Sequence, residues 1–412
     1  GFYQGTRGFK KRLWPMGGVG AGVGVEATMT ASPNKSVNRS EHKSESGSPK
    51  LLIAASGTGG HLFPAIATAE QLSDVSIEWL GVPDRLETRL VPQIYPLHTI
   101  AVEGFQGKPG LGTLRTLARL IAAIWQVRQR LKSGKFQGVF TTGGYIAAPA
   151  ILAARSLGLP AILHESNALP GKVTRLLSPL CTTVALGFAE AAAYLPRAQT
   201  VPVGTPVRSP FLADPADLPP LALPIPAEVP VVVVVGGSQG AVAVNQLVRA
   251  CAPAWLEAGI WVVHITGELD PNAQDLSHPH YLVLPFFDNM AALFRRATLA
   301  VSRAGAGTLT ELAIAHLPSI LIPYPYAAED HQTYNARVFE AAGAARLCPQ
   351  HDLTPEILQA LVLDLLRPDA HAQLTAAVQC LAIPDSAQQL AALVRRSMHL
   401  SGEPARSAHG AS

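Results

Sequence analysis

A chain of 412 residues is long enough for two or three domains with substantial cores. Hydrophobic residues make up 48% and charged residues only 15%, with a formal net charge of +3, which suits an α/β protein with much buried sheet and argues against a nucleic-acid partner. No window offers about eighteen uninterrupted apolar residues, so no spanning helix is expected, and the four widely separated cysteines lack metal-ligand spacing and read as plain thiols of a reducing cytosol.

Residues 1–49 differ from the rest: a basic start, a Gly/Val run from Gly17 to Gly24, then a Ser-, Lys- and Asn-rich stretch. Such a segment cannot bury enough surface to offset chain entropy and is expected to be disordered. A signal peptide is the competing reading, but the glycines make a poor apolar segment; Met29 is a candidate start. Ordered structure is expected from Leu51, with LLIAAS as a strand, Gly57–Pro64 as a glycine loop, and a helix over Ala65–Leu72 with Pro64 in its first turn. Further strands are expected at Ile77–Leu80, His98–Val102, Gly138–Thr141, Ala161–His164 and Thr183–Leu186, separated by helical or loop segments. That alternation predicts a doubly wound parallel sheet.

Residues 108–135 carry seven Lys/Arg and no acid. Leu114, Leu117, Ile121, Ile124, Arg128 and Leu131 form one helical stripe flanked by Leu120 and Trp125. Either this is a helix with that stripe buried and a solvated basic face, or it is an interfacial patch for anionic lipid heads. Pro202–Pro230 is crowded with proline and reads as an interdomain linker.

A second series opens at Val231 with a VVVVV strand, a Gly236–Gly240 loop and a helix over Val242–Ala250. Strands are expected at Trp261–Thr266, Tyr281–Leu284, Leu299–Ser302, Ser319–Ile322 and Ala345–Cys348. Helices at Thr354–Leu366 and Ala387–Met398 are expected to cap that sheet, before a disordered tail at 401–412. The boundaries are therefore 50–205 for the first domain, 206–230 for the linker and 231–400 for the second.

Two such sheets create a cleft between their carboxyl edges, where ligands of open α/β sheets bind. The stretch after Leu299–Ser302 is the best phosphate candidate: a turn, Arg303–Gly307, leads into a helix expected to begin near Thr308. Helix N-termini expose unpaired N–H groups and favour anions. Glu311, one turn in, is placed to accept from ribose hydroxyls, and Glu329, Asp330, His331 and Gln332 fall on the same rim. None of the glycine loops matches GxxxxGK[ST], and the first is not GxGxxG, so P-loop and NAD chemistry are disfavoured. His61, beside glycines at a strand end, is a candidate general base or a satisfied capping histidine. Glu165 and Asn167 in His164–Gly171 are site residues or turn residues, and Arg208 is a ligand or a solvated arginine. The absence of a DxD tripeptide argues against a catalytic metal; leaving-group charge falls to helix N-termini and donors such as Ser238.

The stretches GTGGHLFPAIA, TGGYIAAPA, HESNALPG, GTPVR, GGSQGAVAVNQ, FFDNMAALF, and SRAGAGTLTELA through EDHQTYNA, in this order over residues 51–395, strongly resemble the MurG family. These are the undecaprenyl-diphospho-muramoylpentapeptide β-N-acetylglucosaminyltransferases of bacterial peptidoglycan synthesis. The resemblance implies a GT-B fold of two Rossmann-like domains, with the lipid I acceptor in the first and UDP-N-acetylglucosamine mainly in the second. It implies an inverting, metal-independent transfer to the 4-hydroxyl of the muramoyl sugar, with no cofactor. Carried over by motif, Thr58, Gly59 and Gly60 contact the diphosphates, and His61 is the base. Gly143, Gly144 and Tyr145 form the acceptor loop, and Asn167 touches the donor sugar. Arg208 and Ser238 hold the nucleotide and its phosphates, and backbone near Phe287 reads uracil. Ala306, Gly307, Thr308, Leu309 and Thr310 line the phosphates, Glu311 holds ribose and Gln332 the sugar hydroxyls. The resemblance further implies a peripheral protein on an anionic membrane surface, at the cytoplasmic face of the bacterial inner membrane, with other cell-wall synthesis or division proteins as partners. Ser166, Thr205 and Ala304 depart from the pattern, standing where Gln, Asn and Ser are common. The alternatives are a glycosyltransferase making another glycolipid, against which the TGGY and HESN loops argue, and a non-catalytic sugar-nucleotide sensor.

Overall fold

A computed structural model of the chain describes residues 48–102, 111–237 and 240–400. The expected tails at 1–47 and 401–412, Lys108, the Leu114 side chain and Ser238 lie outside the described residues. The first lobe holds seven strands: β1 (Lys50–Ala54), β2 (Ser76–Gly81), β3 (Leu97–Thr99), β4 (Gly138–Thr141), β5 (Ala161–Glu165), β6 (Thr183–Leu186) and β7 (Thr200–Pro202). Its helices are α1 (Gly59–Glu70), α2 (Glu87–Leu90), α3 (Leu111–Ser133), α4 (Ala147–Ser156) and α5 (Lys172–Leu177), followed by α6 (Ser209–Leu212) in the connecting segment. The second lobe holds β8 (Val231–Val235), β9 (Trp261–Ile265), β10 (Tyr281–Leu284), β11 (Leu299–Ser302), β12 (Ser319–Leu321) and β13 (Ala345–Leu347). Its helices are α7 (Val242–Glu257), α8 (Met290–Arg296), α9 (Ala306–Ile314), α10 (His331–Ala341), α11 (Pro355–Leu365) and α12 (Pro368–Gln379), after which α13 (Ser386–Ser397) returns to the first lobe.

Both sheets are parallel throughout their named strands. The orders are β3-β2-β1-β4-β5-β6-β7 and β10-β9-β8-β11-β12-β13. The strand order therefore reverses between β1 and β4 in one lobe and between β8 and β11 in the other, the crevices where such sheets take ligands. Val231–Val235 shows why the strands read as continuous apolar runs. Val231, Val233 and Val235 enter one core while Val232 and Val234 enter the core on the opposite face. In β1, Leu52 and Ala54 face one layer and Leu51 and Ile53 the other.

Several elements differ from expectation. Helix α1 starts at Gly59, so His61 is already helical and Pro64 sits inside the helix. Strand β7 was hidden by Pro202, which a short edge strand accepts because one side of its backbone has no ladder to feed. Helix α7 continues through Pro253 to Glu257. On α3 the buried positions are Ala123, Val127 and Leu131, whereas Leu117, Ile121 and Trp125 are exposed. Helix α13 does not cap the second sheet. Its Leu390, Ala391 and Val394 pack with Leu51 and Ile53 of β1, and Arg395 donates to Asp74 and to the Gln71 carbonyl.

The proline-rich connection is laid against the second lobe rather than left free. Val207 and Phe211 are buried in that lobe's core, with Leu221, Leu223 and Ile225 packed on it. Arg295 donates to the Phe211 and Ala213 carbonyls, Arg296 to that of Val229, and Asn289 to that of Pro219. A proline-rich segment has too few N–H groups to pair its carbonyls, and these side chains supply the missing donors.

Candidate functional site

The first ledge is the β1/β4 crevice. Gly57 has φ of +106°, a left-handed turn that side-chain-bearing residues resist, and it lets the chain swing into α1. Its N–H donates to Glu87 Oε2 at 3.2 Å, while Glu87 Oε1 accepts from Val82 N–H at 2.9 Å. Glu87 is fully buried. It is a carboxylate whose work is to hold the glycine loop, and sequence reasoning missed it. The first-turn N–H groups of α1, at Gly59 and Gly60, precede the first intrahelical bonds and stay open to a ligand.

His61 Nδ1 lies 2.6 Å from the Thr142 carbonyl at the end of β4. A carbonyl only accepts, so Nδ1 carries the proton and donates, and the Nε2 lone pair is left to take another. The imidazole also sits beside the glycine loop after β4: a Cβ on Gly143 would lie 3.7 Å from its Cε1. Gly143 and Gly144 both have positive φ, and Tyr145 beyond them is exposed.

At the end of β5, Glu165 accepts from the Asn167 backbone N–H, Asn167 Nδ2, the Gly171 N–H and Thr174 Oγ1, at 3.0, 3.2, 3.2 and 2.7 Å. Glu165 is thus a turn organiser, and Asn167 is the residue it presents. His164 Nε2 donates to the Gly204 carbonyl at 2.9 Å; burial holds its imidazole below its usual pKa. The departures Ser166 and Thr205 are both buried, and neither hydroxyl finds a partner among the described residues.

The second ledge is the β8/β11 crevice. In the loop after β8, a Cβ on Gly240 would stand 2.5 Å from the Thr266 carbonyl, so only glycine fits. The turn after β11 differs: nothing lies within 4 Å of a Cβ on Gly305 or Gly307, so those glycines leave open space over the N-terminus of α9. Arg303 anchors this turn by donating to the Ile322 and Pro323 carbonyls and to Gln350 Oε1. Of the expected phosphate-lining run, Ala306, Gly307 and Thr308 form the first turn of α9, and Thr310 Oγ1 donates back to the Ala306 carbonyl. Leu309 is not brought to the site. Its side chain is fully buried and its N–H already donates to the Gly305 carbonyl.

Arg208 and Glu311, expected to act separately, are an ion pair. Arg208 donates through Nε at 2.9 Å and Nη2 at 2.7 Å, both to Glu311 Oε1, leaving Oε2 to another donor. Burial pushes the Glu311 carboxyl up, against the opposing pull of Arg208. The guanidinium lies 5.3 Å from the ring centres of both Phe63 and Phe211. Phe63 is two residues past His61 on α1, so this contact joins the helix of His61 to the helix of Glu311.

Gln332 Oε1 accepts from the Ala304 and Tyr324 N–H groups, which turns its amide nitrogen outward. Phe287 lies between β10 and α8, partly buried against the second core, with Phe286 exposed beside it. Sequence reasoning also missed Asn335 as a site residue. It sits inside the quoted EDHQTYNA stretch, and a buried mid-helix Asn, a poor helix former, was the available signal.

Residues 51–186 match the glycosyltransferase family 28 N-terminal domain and residues 231–390 its C-terminal domain. A Trichodesmium erythraeum protein named UDP-N-acetylglucosamine--N-acetylmuramyl-(pentapeptide) pyrophosphoryl-undecaprenol N-acetylglucosamine transferase is 63% identical over 346 residues, covering 84% of this chain and 91% of the relative. A Nostoc sp. protein of the same name is 64% identical over 347 residues, covering 84% of this chain and 97% of its own. Among solved structures, MurG of Acinetobacter baumannii aligns with a TM-score of 0.69 at 30% identity, covering 84% of this chain and 99% of that one.

Proposed function

The chain belongs to glycosyltransferase family 28, in its MurG branch, and from that membership we propose the reaction it performs and the residues that perform it. It is an N-acetylglucosaminyltransferase of GT-B fold. It moves N-acetylglucosamine from UDP-N-acetylglucosamine to muramoylpentapeptide-diphospho-undecaprenol, lipid I, to give lipid II. The 4-hydroxyl of the muramoyl sugar attacks the anomeric carbon and the bond to the UDP oxygen breaks. The configuration inverts, and the hydroxyl proton passes to His61 Nε2.

The observation that carries the assignment of the base is the His61 Nδ1–Thr142 carbonyl bond, because it fixes the tautomer whose free nitrogen can accept that proton. Gly59 and Gly60 of α1 offer N–H groups to the lipid-borne diphosphate, and the N-terminus of α9 does the same for the donor. Glu311 Oε2 accepts from ribose, and the amide nitrogen of Gln332 donates to the sugar. The leaving diphosphate is met by these backbone dipoles, so turnover should survive chelation.

UDP release measured with a lipid I analogue, with diacylglycerol and without acceptor tests the whole reading. Release that depends on the lipid I analogue supports it; release with diacylglycerol, or with none of them, removes it. His61→Ala should lose about 100-fold or more in turnover while keeping UDP affinity, since general-base contributions run at roughly that size or above. Unchanged turnover would take His61 out of the role.

No helix of the described residues is long and apolar enough to cross a membrane. Leu117, Ile121 and Trp125 are 45%, 59% and 62% exposed at four-residue spacing on α3, on a basic helix. We propose that this stripe rests on an anionic membrane surface at the cytoplasmic face. Trp125→Asp with Ile121→Asp should abolish sedimentation with phosphatidylglycerol vesicles, and undiminished sedimentation would rule the stripe out.

A further inference from the structure

Asn335 on α10 is fully buried, yet every hydrogen-bonding group of its side chain is used, and used across both lobes. Its Oδ1 accepts from the Ala168 N–H at 2.8 Å, in the first-lobe loop that presents Asn167. Its Nδ2 donates to Asn167 Oδ1 at 3.1 Å and to the Ala304 carbonyl at 3.1 Å, in the turn that leads into α9. The orientation of the amide is not free, because the Ala168 N–H needs an acceptor and the Ala304 carbonyl needs a donor. One helical turn earlier, Gln332 holds the Ala304 N–H. Helix α10 therefore grips the loop under the phosphate turn and, with the same side chain, the loop carrying Asn167.

We propose that Asn335 is a positioning residue for sugar transfer: it sets the separation of Asn167 from the N-terminus of α9, and hence where the donor sugar sits relative to its diphosphate. The inference rests on the transferase reading above. Other side chains do not substitute. Leu would leave three groups unpaired, two of them buried, Asp would turn acceptors toward the Asn167 and Ala304 oxygens, and Gln would push the amide one methylene too far. Errors in placing reactants of about 1 Å can cost about 100-fold in rate, so the chemistry is where the loss should appear.

The test uses the full chain, with UDP-N-acetylglucosamine and a lipid I analogue. Asn335→Asp should lower kcat about 100-fold. The affinity of the neutral variant Asn335→Ser for UDP alone, read by calorimetry, should stay within about threefold, because that variant adds no charge under the turn into α9. A double variant, Asn335→Ala with Asn167→Ala, should be within about threefold of the slower single variant, since the two act as one unit. Rates that multiply, or a UDP affinity that falls in step with kcat and melting temperature, would reduce Asn335 to a fold stabiliser. If Asn335→Asp does not fold, Asn335→Ser, which keeps one donor and one acceptor, carries the same comparison. An inactive wild-type chain would sink the transferase reading and this inference together; an active wild type matched by Asn335→Asp would sink this inference alone.

Discussion

The two ledges hold their glycine turns by opposite means. In the first lobe the anchors are buried carboxylates: Glu87 accepts from two backbone N–H groups, and Glu165 gathers four donors around one loop. In the second lobe the same task falls to neutral amides, Gln332 and Asn335, together with the cation Arg303. Both kinds of oxygen accept from an N–H, the carboxylate more strongly, and they differ in charge, which matters to what comes next. A nucleotide diphosphate seated on α9 would be repelled by a carboxylate under its turn, whereas an amide organises that turn without opposing the ligand. Glu311, a carboxylate on that ledge, is bonded to Arg208.

The comparison can be broken by exchanging the anchors, and the larger effect is expected in the first lobe. Glu165→Gln puts an amide NH₂ where four donors converge, leaving at least one buried N–H or hydroxyl facing another donor. The loss of stability should be about 3 kcal/mol, read from urea melts. A shift under about 0.5 kcal/mol, the range of ordinary surface substitutions, would mean that the carboxylate is not the anchor.

The reverse exchange should leave stability almost alone and strike binding. Gln332→Glu keeps an oxygen for the Ala304 and Tyr324 N–H groups but adds a negative charge beside the turn into α9, where the diphosphate is proposed to sit. At an effective dielectric near 20 and a separation of about 8 Å, like charges cost roughly 2 kcal/mol, so donor KM should rise about 30-fold. An unchanged KM would place the diphosphate elsewhere.

What the residues disclosed beforehand follows the same division between local and distant causes. Strands such as Val231–Val235 were legible because burial on both faces writes itself as an unbroken apolar run. Edge strand β7 was not, since three residues ending in proline carry no such signal. The start of α1 was misplaced because glycine is a poor helix former. At a helix N-terminus, however, its N–H groups have no intrahelical partner to lose. His61, Glu311 and Gln332 were nominated by strand ends and motifs. The Arg208–Glu311 pair was not foreseen, nor the part played by Asn335, whose partners stand 167 and 168 positions away. On α3, spacing identified an apolar stripe, but only the packing against α4 decided which residues face solvent.

The smallest effect tests whether the lobes are alike one layer deeper, where each carries a buried neutral histidine, His164 in β5 and His264 in β9. Asn245 Nδ2 donates to Asp270 and to the Thr266 carbonyl, so its Oδ1 must accept from His264 Nε2–H; His264 Nδ1 then accepts from the Tyr281 hydroxyl. Burial lowers the His264 pKa to about 4 and also lowers that of His164. With a folded pKa below the unfolded one, the unfolded chain takes the proton first. The stability each neutral imidazole contributes is therefore complete above about pH 6.5 and is lost as pH falls toward the folded value. The slope approaches about 1.4 kcal/mol per pH unit for each histidine at most. Asp74 and Asp270, held below their ordinary range, add their losses only at more acid pH, while the raised Glu311 acts in the opposite sense, losing stability as pH rises through its folded pKa. Melts between pH 7 and 4.5 should therefore show His264→Gln less stable at neutrality but with a shallower fall than the wild type. Parallel curves would mean that His264 gains its proton in the folded protein as readily as in the unfolded one, and that the two lobes differ at depth as they do at their ledges.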